Sequence, residues 1–357
     1  MSEWVVKNLD EVVEYFIDYR GKTPDKKDSG IPLITAKIIK DGRLNTATEF
    51  ISVEDYPLWM TRGYPEVNDV VLTTEAPLGE VALIKNKNIA LAQRIITLRG
   101  YKNILDNKFL KYWLQSEQGQ YELESRASGT TVFGIKSSVL KKIPISLPPY
   151  NEQVAISSVL YSIDEKIDLL HRQNKTLESM AETLFRQWFD VDSNDEWQEK
   201  NVLDIFTLVG GGTPKTSVAE YWTDEIPWIS GGDISAAHQG YLYSTEKSIS
   251  LAGLQNSSAK LLPKNSTVIS ARGTVGKYAL LARDMAFSQS NYGIVSKIGN
   301  YPFFIYLLVG FIVDDLLTAA YGSVFDTITT RTFESVNLKF PSLNSIEKFN
   351  EEISPIF

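Results

Sequence analysis

The sequence predicts an α+β protein made of two homologous units. They are joined by a long helix of coiled-coil type, and the start of a second such helix stands at the C-terminus. Three observations predict it. The chain repeats itself at an offset of about 193 residues. An unbroken heptad seam fills its middle. Each copy mixes short β-branched runs with one apolar helix.

The first unit covers residues 1–150. Its runs Asp69–Thr73, Val81–Ile84 and Ile95–Leu98, bounded by Gly, Pro and Asn, read as strands. A helix is expected over Asn107–Glu124, with Phe109, Leu110, Trp113 and Leu114 as its apolar face. In IPISLPPYNEQ the prolines stop a strand, and Asn151 is placed to cap the helix that follows.

The central helix is expected over 151–190. Ile156, Leu160, Ile163, Ile167, Leu170, Asn174, Leu177, Ala181, Leu184 and Trp188 recur in steps of four and three, the a/d seam of a coiled coil. At ~1.5 Å per residue the helix is roughly 55–60 Å long. Asn174, the one polar seam residue, suits a register-setting role. The competing reading is an ordinary long core helix.

The second unit, 191–343, repeats the first in order. EWVVKNLD returns as EWQEKNVLD, GKTP as GGTP, IPLITAKI as IPWISGGDI, TTEAPLGEVAL as SARGTVGKYAL, and ALAQ as AFSQ. Gly129 and Gly322, Pro148 and Pro341, and Asn151 and Asn344 recur at an offset of 193. The helix equivalent to Asn107–Glu124 is expected over Phe303–Ala319. Residues 344–357 open a second seam with Ile346, Phe349, Ile353 and Ile356, about two dozen residues shorter than the first, and read as a truncated helix. Three turns leave much of the first seam without a partner, and Leu177, Leu184 and Trp188 are expected to stay uncovered.

The composition, 43% hydrophobic and 22% charged, is that of a soluble globular protein. The first residues lack a signal peptide's pattern. The longest apolar run, Phe303–Val313, is too short to span a bilayer. The expected location is cytoplasmic, with no membrane association. With no cysteine and only His171 and His238, neither disulfides nor a metal centre is expected. The net charge of −8 is unevenly spread: residues 151–195 carry 4 Lys+Arg against 9 Asp+Glu, while residues 1–150 carry 20 against 19. The globular units are therefore free to present local basic faces to nucleic acid.

No catalytic constellation or cofactor site emerges. Pro148-Pro149-Tyr150 resembles the end of a base-holding methyltransferase loop, but Leu147 stands where a hydrogen-bond acceptor is needed. In Gly273–Lys277 the phosphate-loop pattern is short, and Tyr278 replaces the required Ser or Thr. Asp164-Glu165-Lys166 falls on the long helix and reads as a solvated face, and His171 as a flanking contact. What differs between the copies is loop chemistry on a common frame. Gly79 and Gly276 are expected to hold the same turn, while Glu75 becomes Arg272, Glu80 becomes Lys277, and Arg94-Ile95 becomes Ser290-Asn291. Arg reads guanine, and Asn or Gln reads adenine, through paired hydrogen bonds. The expected DNA-facing residues are Lys22, Thr23, Arg94, Lys215, Thr216, Arg272, Lys277, Gln289 and Asn291. Neutral drift of surface loops is the competing explanation.

LPPYNEQ running into IDEKIDLLHRQNKTLESMAETLFRQWF, after a GKTP/GGTP–IPW–GxVGK-type domain and before its repeat, resembles the specificity subunits of type I restriction–modification systems. The resemblance covers nearly the whole chain. It implies a non-catalytic subunit whose target-recognition domains, 1–150 and 191–343, each read half of a split double-stranded DNA target. It also implies that helices 151–190 and 344–357 act as a spacer and that methyltransferase subunits dock on the chain, with restriction subunits joining through them. A bare seam implies self-association or cover by those partners. Two other readings stay open: an adenine methyltransferase with its own donor site, and a duplicated protein-binding scaffold.

Overall fold

The computed structural model describes residues 4–19, 21, 23–129, 132–189, 197–321 and 327–357. The chain divides into two compact units, Met1–Leu169 and Leu170–Phe357. The long helix therefore contributes its first half to one unit and its second half to the other.

In the first unit β1 (Val5–Asn8) and β2 (Val13–Asp18) open the chain, and β3 (Ile31–Ile34), β4 (Val70–Thr74), β5 (Leu78–Leu83), β6 (Ala90–Leu91) and β7 (Ile95–Gly100) follow. The main sheet is antiparallel in the order β2-β7-β4-β5. Strand β4, VVLTT, is buried along its length, three apolar residues followed by two β-branched threonines, as suits a strand covered on both faces. Strand β3 pairs in parallel with β6, Leu33 opposite Ala90. Strand β8 (Pro144–Leu147) returns to β1, with Val5 opposite Leu147.

The helix expected over Asn107–Glu124 is two helices, α1 (Asn107–Gln115) and α2 (Glu117–Glu124). Ser116 makes the break. Its backbone is extended, its Oγ donates to the Trp113 carbonyl at 2.7 Å, and the same Oγ accepts from Gly119 N at 3.1 Å. The hydroxyl thus closes one helix and caps the next. Phe109, Leu110, Trp113 and Leu114 face the core with Val70, Leu72, Ile96 and Leu98.

Helix α3 (Tyr150–Trp188) runs 39 residues. It starts one residue before Asn151, and the Pro149 carbonyl accepts its first bonds, from Glu152 N and Gln153 N. Asn151 is therefore inside the helix rather than its cap.

The second unit repeats this plan. Strands β9 (Gln198–Asn201), β10 (Phe206–Gly210), β11 (Ile226–Ile229), β12 (Thr267–Ser270), β13 (Tyr278–Leu281), β14 (Met285–Phe287), β15 (Asn291–Ser296) and β16 (Asn337–Phe340) take the roles of β1 to β8. The sheet order β10-β15-β12-β13 matches β2-β7-β4-β5, with one added strand, Tyr241–Leu242, beside β13. Gln198 lies opposite Phe340 as Val5 lies opposite Leu147, and β11 pairs in parallel with β14.

Helix α4 (Pro302–Ala320) replaces the α1–α2 pair with one uninterrupted helix. Its 19 residues are long and apolar enough to cross a membrane by length and composition, but Phe304, Leu308, Ile312 and Leu316 are buried in the unit's core. Helix α5 (Leu343–Ile353) is capped by Ser342, whose Oγ accepts from Ser345 N at 3.2 Å. Asn344, like Asn151, stands inside its helix.

Candidate nucleic-acid interface

The turn between β12 and β13 is built on two glycines, Gly273 at φ 79° and Gly276 at φ 81°. The equivalent turn between β4 and β5 has Ala76 at φ 48° and Gly79 at φ 90°. Both anchor glycines also have their Cα pressed against the following helix. A Cβ on Gly79 would lie 2.6 Å from Gln120 Oε1, and one on Gly276 would lie 2.9 Å from Leu317 Cδ2. A side chain at either position meets both a strained φ and a closed space.

Around this frame the loops are stitched together by the same backbone bonds in both units. Thr74 N donates to the Arg94 carbonyl at 2.8 Å, as Ala271 N donates to the Ser290 carbonyl at 2.9 Å. Ile135 N donates to the Thr74 carbonyl at 2.9 Å, as Ile328 N donates to the Ala271 carbonyl at 3.1 Å. In the second unit Gly212 N donates to the Phe287 carbonyl at 2.9 Å, and Thr213 Oγ1 donates to Gln289 Oε1. Thr274 Oγ1 donates to the Gly231 carbonyl at 3.1 Å. Four repeated motifs thus converge on one corner, with Lys215, Thr216, Arg272 and Gln289 exposed on its loops.

The frames match while the charges do not. In the first unit Arg94, exposed and at φ 70°, places its Nε 3.1 Å from Glu75 Oε1. In the second unit Arg272 takes the place of Glu75 and Ser290 that of Arg94. Among the described residues Arg272 makes no ion pair, so its planar fork of donors stays open to an outside acceptor. Thr23 is exposed in the loop after β2. Lys22 lies outside the described residues.

Two of the expected DNA-facing residues are placed differently. Asn291 is 1% exposed. Its Nδ2 donates to Ser288 Oγ at 2.9 Å and reaches the Ile229 carbonyl at 3.4 Å, so the amide ties the first residue of β15 to β11. It is a strut under the corner, not a reader on it. Lys277 is half-buried beside His238. Burial, and after it the Lys277 ammonium, holds that imidazole below the ordinary histidine value.

Sequence reasoning passed over Val132 and Phe133, exposed next to the Glu75–Arg94 pair. Gly134, which follows them, lies so close to Glu75 that a Cβ there would sit 3.0 Å from the Glu75 Cβ. The repeated Gly129, at φ 140°, was the signal that a shaped loop stood there.

The helix α3 carries two different stripes. Gln153, Ser157, Tyr161, Asp164 and Asp168 recur every three or four residues and lie on the first unit's body. Gln153 Oε1 accepts from Asp106 N at 3.0 Å, and its Nε2 donates to the carbonyls of Ile104 and Pro148 at 3.0 Å. Asp164 accepts from Lys111 Nζ and from Tyr112 Oη, the latter at 2.7 Å. Asp168 accepts from Arg43 Nε at 2.6 Å and Lys85 Nζ at 2.8 Å, and Lys85 also reaches Glu165 at 3.2 Å. The Asp164–Glu165 stretch is therefore a docking face, not a solvated one. Burial alone would raise both aspartates, but the bonds from Lys111 and Tyr112, and from Lys85 and Arg43, outweigh it and hold them below the usual carboxylate value.

The apolar seam is a separate stripe. Leu160, Ile163, Ile167, Leu170 and Leu177 are 36–51% exposed, and Asn174 and His171 are exposed among them. Ile156 packs on the first unit's core. Leu184 and Trp188, expected to stay bare, are partly buried, with Trp188 6.0 Å from Phe349 between ring centroids. Among the described residues no group of three or more His, Cys, Asp or Glu is arranged to hold a metal ion.

The family model for the type I restriction modification DNA specificity domain matches residues 1–179 and 194–357. The chain is 24% identical over 395 residues to the type I restriction enzyme MjaIX specificity subunit of Methanocaldococcus jannaschii, a match covering 100% of this chain and 87% of that protein. It is 26% identical over 257 residues to the type I restriction enzyme EcoR124I/EcoR124II specificity subunit of Escherichia coli, covering 68% of this chain and 61% of that one. The crystal structure of the type I restriction–modification S subunit from M. genitalium superposes with a TM-score of 0.61, covering 99% of this chain and 89% of that chain. At 16% identity that likeness speaks for the fold alone.

Proposed function

Because the chain belongs to the family of type I restriction–modification specificity subunits, the non-catalytic DNA-recognition component of such enzymes, we propose that each of its two units reads one half of a bipartite target. The observation that carries this reading is the shared turn with unlike side chains: Glu75 bound to Arg94 in one unit, and in the other Arg272 and Ser290 at the matching positions, with no ion pair to Arg272 among the described residues. A common scaffold brings each loop to the duplex in the same way, and the substituted donors and acceptors select different bases. Arg272 is the base reader of the second unit. Lys215 and Thr216 hold the phosphate backbone. Thr23, Arg94 and the Phe133 loop make the corresponding surface of the first unit.

The long helix is the spacer in this reading. At ~1.5 Å per residue, 39 residues exceed one duplex turn, ~34–36 Å, the separation two half-sites on one face of DNA require. Its exposed seam supplies the surface on which methyltransferase subunits, and restriction subunits through them, assemble in the cell, or on which a second copy pairs.

The test is exchange of residues 1–150 for the first domain of another family member, followed by sequencing of methylated sites in cells that supply the methyltransferase subunit. One half of the methylated sequence should change while the other stays. A change in both halves, or in neither, overturns the modular reading.

A further inference from the structure

Within the second unit an open groove of about 650 Å³ runs beside the C-terminal half of α3. Its wall is a chain of touching rings. Tyr241 meets Tyr243 and Phe357 at centroid distances of 5.9 and 6.5 Å, Phe357 meets Tyr306 at 5.6 Å, and Tyr306 meets Tyr278 at 5.5 Å. Tyr306 is buried and forms a fixed floor, continued by the buried Tyr278 in the adjoining hollow that shares Glu178 and Glu182. The Tyr278 hydroxyl is held against the backbone of α4, 2.4 Å from where a Cβ on Gly310 would stand.

Above this floor stand two carboxylates, Glu178 and Glu182, one turn apart on α3. Among the described residues neither has an ion-pair partner, and like charges spaced i, i+4 destabilise a helix. Glu178 lies over the Gly240 turn, its Oε1 3.4 Å from where a Cβ there would be. Burial, and then the Glu182 charge, raises the Glu178 carboxyl above its ordinary value. Asp314 adds a third acid at the far end of the same surface. The nearby cations do not offset them. Arg186 has its guanidinium over the Phe311 ring at 5.6 Å, Lys175 stands exposed at the rim, and burial and then Lys277 hold His238 below the ordinary histidine value.

Aromatic faces carry negative quadrupole density that attracts a cation, and nearby carboxylates attract the same cation directly. A polyanion is repelled from the same surface. We propose that this groove receives an arginine or lysine side chain presented by the methyltransferase subunit, its aliphatic stem lying on Tyr306 and Phe357 and its charge between Glu178 and Glu182. The inference rests on the reading of the chain as a subunit on which a methyltransferase assembles, and it names the chemistry of one contact in that assembly.

The test uses the full chain and its cognate methyltransferase subunit. Glu178→Gln/Glu182→Gln keeps side-chain size and removes both charges. Titration calorimetry at low and high salt should show binding weakened about tenfold or more, with a flatter salt dependence. DNA binding by the chain alone should be unchanged. An unchanged affinity and salt slope overturns the groove contact while leaving the assembly reading in place. Failure of the unsubstituted chain to bind the methyltransferase overturns both. A dimer of the chain alone that the substitutions dissociate places a second copy in the groove and overturns the proposal.

Discussion

The polar face of α3 makes an asymmetric prediction. Lys111 sits on α1 with its side chain 4% exposed, and Asp164 on α3 is 33% exposed. Asp164→Asn leaves an ammonium almost wholly out of water without its carboxylate partner, the Tyr112 ring standing at 4.2 Å. Removing one partner of such a pair costs ~3–5 kcal/mol. Lys111→Met leaves a carboxylate that water still reaches and that keeps the Tyr112 hydroxyl, so the loss should be smaller, ~1–3 kcal/mol. The double substitution removes both charges and should cost less than the sum of the two. Because the chain has two compact units, a single unfolding midpoint is a poor measure. Hydrogen exchange of the Asn107–Gln115 amides in the intact chain reads the first unit directly. Equal losses, the reverse order, or simple additivity would refute the burial argument. The same contacts give a pH dependence. Asp164 and Asp168 are held below their ordinary value of 3.8, so their contribution is complete above that pH and fades as pH falls through the depressed values.

Three further outcomes follow from the corner in the second unit and its counterpart in the first. Arg272→Ala should relax selection at one base position by roughly 1–3 kcal/mol, while Lys215→Ala should weaken binding to all sequences alike and reduce the salt slope by about one; competition binding across substituted duplexes separates them, and a uniform loss for Arg272→Ala removes it as a reader. Asn291→Ala should cost ~1–2 kcal/mol of stability through the freed Ile229 and Ser288 groups, and a change of base preference at unchanged stability would contradict its role as a strut. Phe133→Ala, at a side chain 64% exposed, should leave stability within about 0.5 kcal/mol and lower DNA affinity by about 1 kcal/mol; unchanged affinity excludes that loop from the interface.

The repeat was legible because each of its anchors is a local backbone requirement. Gly79 and Gly276 are fixed by φ, and Pro148 and Pro341 by the strand end, so both survive while the loops between them diverge. The break at Ser116 was not legible. A serine amid apolar spacing of period 3.6 reads as a tolerated helix residue until its bonds to Trp113 and Gly119 are known. Asn291 was misplaced for a similar reason. An Asn at the start of a strand suits either a solvent corner or a buried tie, and only the neighbouring β11 decides between them. Heptad spacing located α3 correctly but suggested a single packing stripe. The face that docks on the first unit is polar, and its partners Lys111, Arg43 and Lys85 lie 53 to 125 residues away in sequence, beyond any local pattern.

The direction of the chain explains which part of the seam is covered. Strand β9 opens the second unit after α3, and β16 pairs with it before leading into α5. Helix α5 therefore lays Ile346, Phe349 and Ile353 into the same core as Ala181 and Phe185, from the last turns of α3, and Phe189, which follows it. The ring contacts of Phe349 with Phe185, Trp188 and Phe189, at 5.7, 6.0 and 4.9 Å, fix the two helices there. Cover starts where the second helix starts, so Leu184 and Trp188 are sheltered while Leu160, Ile163, Ile167 and Leu170 keep 36–51% of their surface in water. Burying a large aliphatic side chain fully yields ~1.5–3 kcal/mol, so four such side chains, already about half covered, still hold several kcal/mol for a helix that continues the seam. That reserve lies where the assembly reading needs an attachment surface. The polar stripe holds α3 to the first unit and is joined there by one seam residue, Ile156.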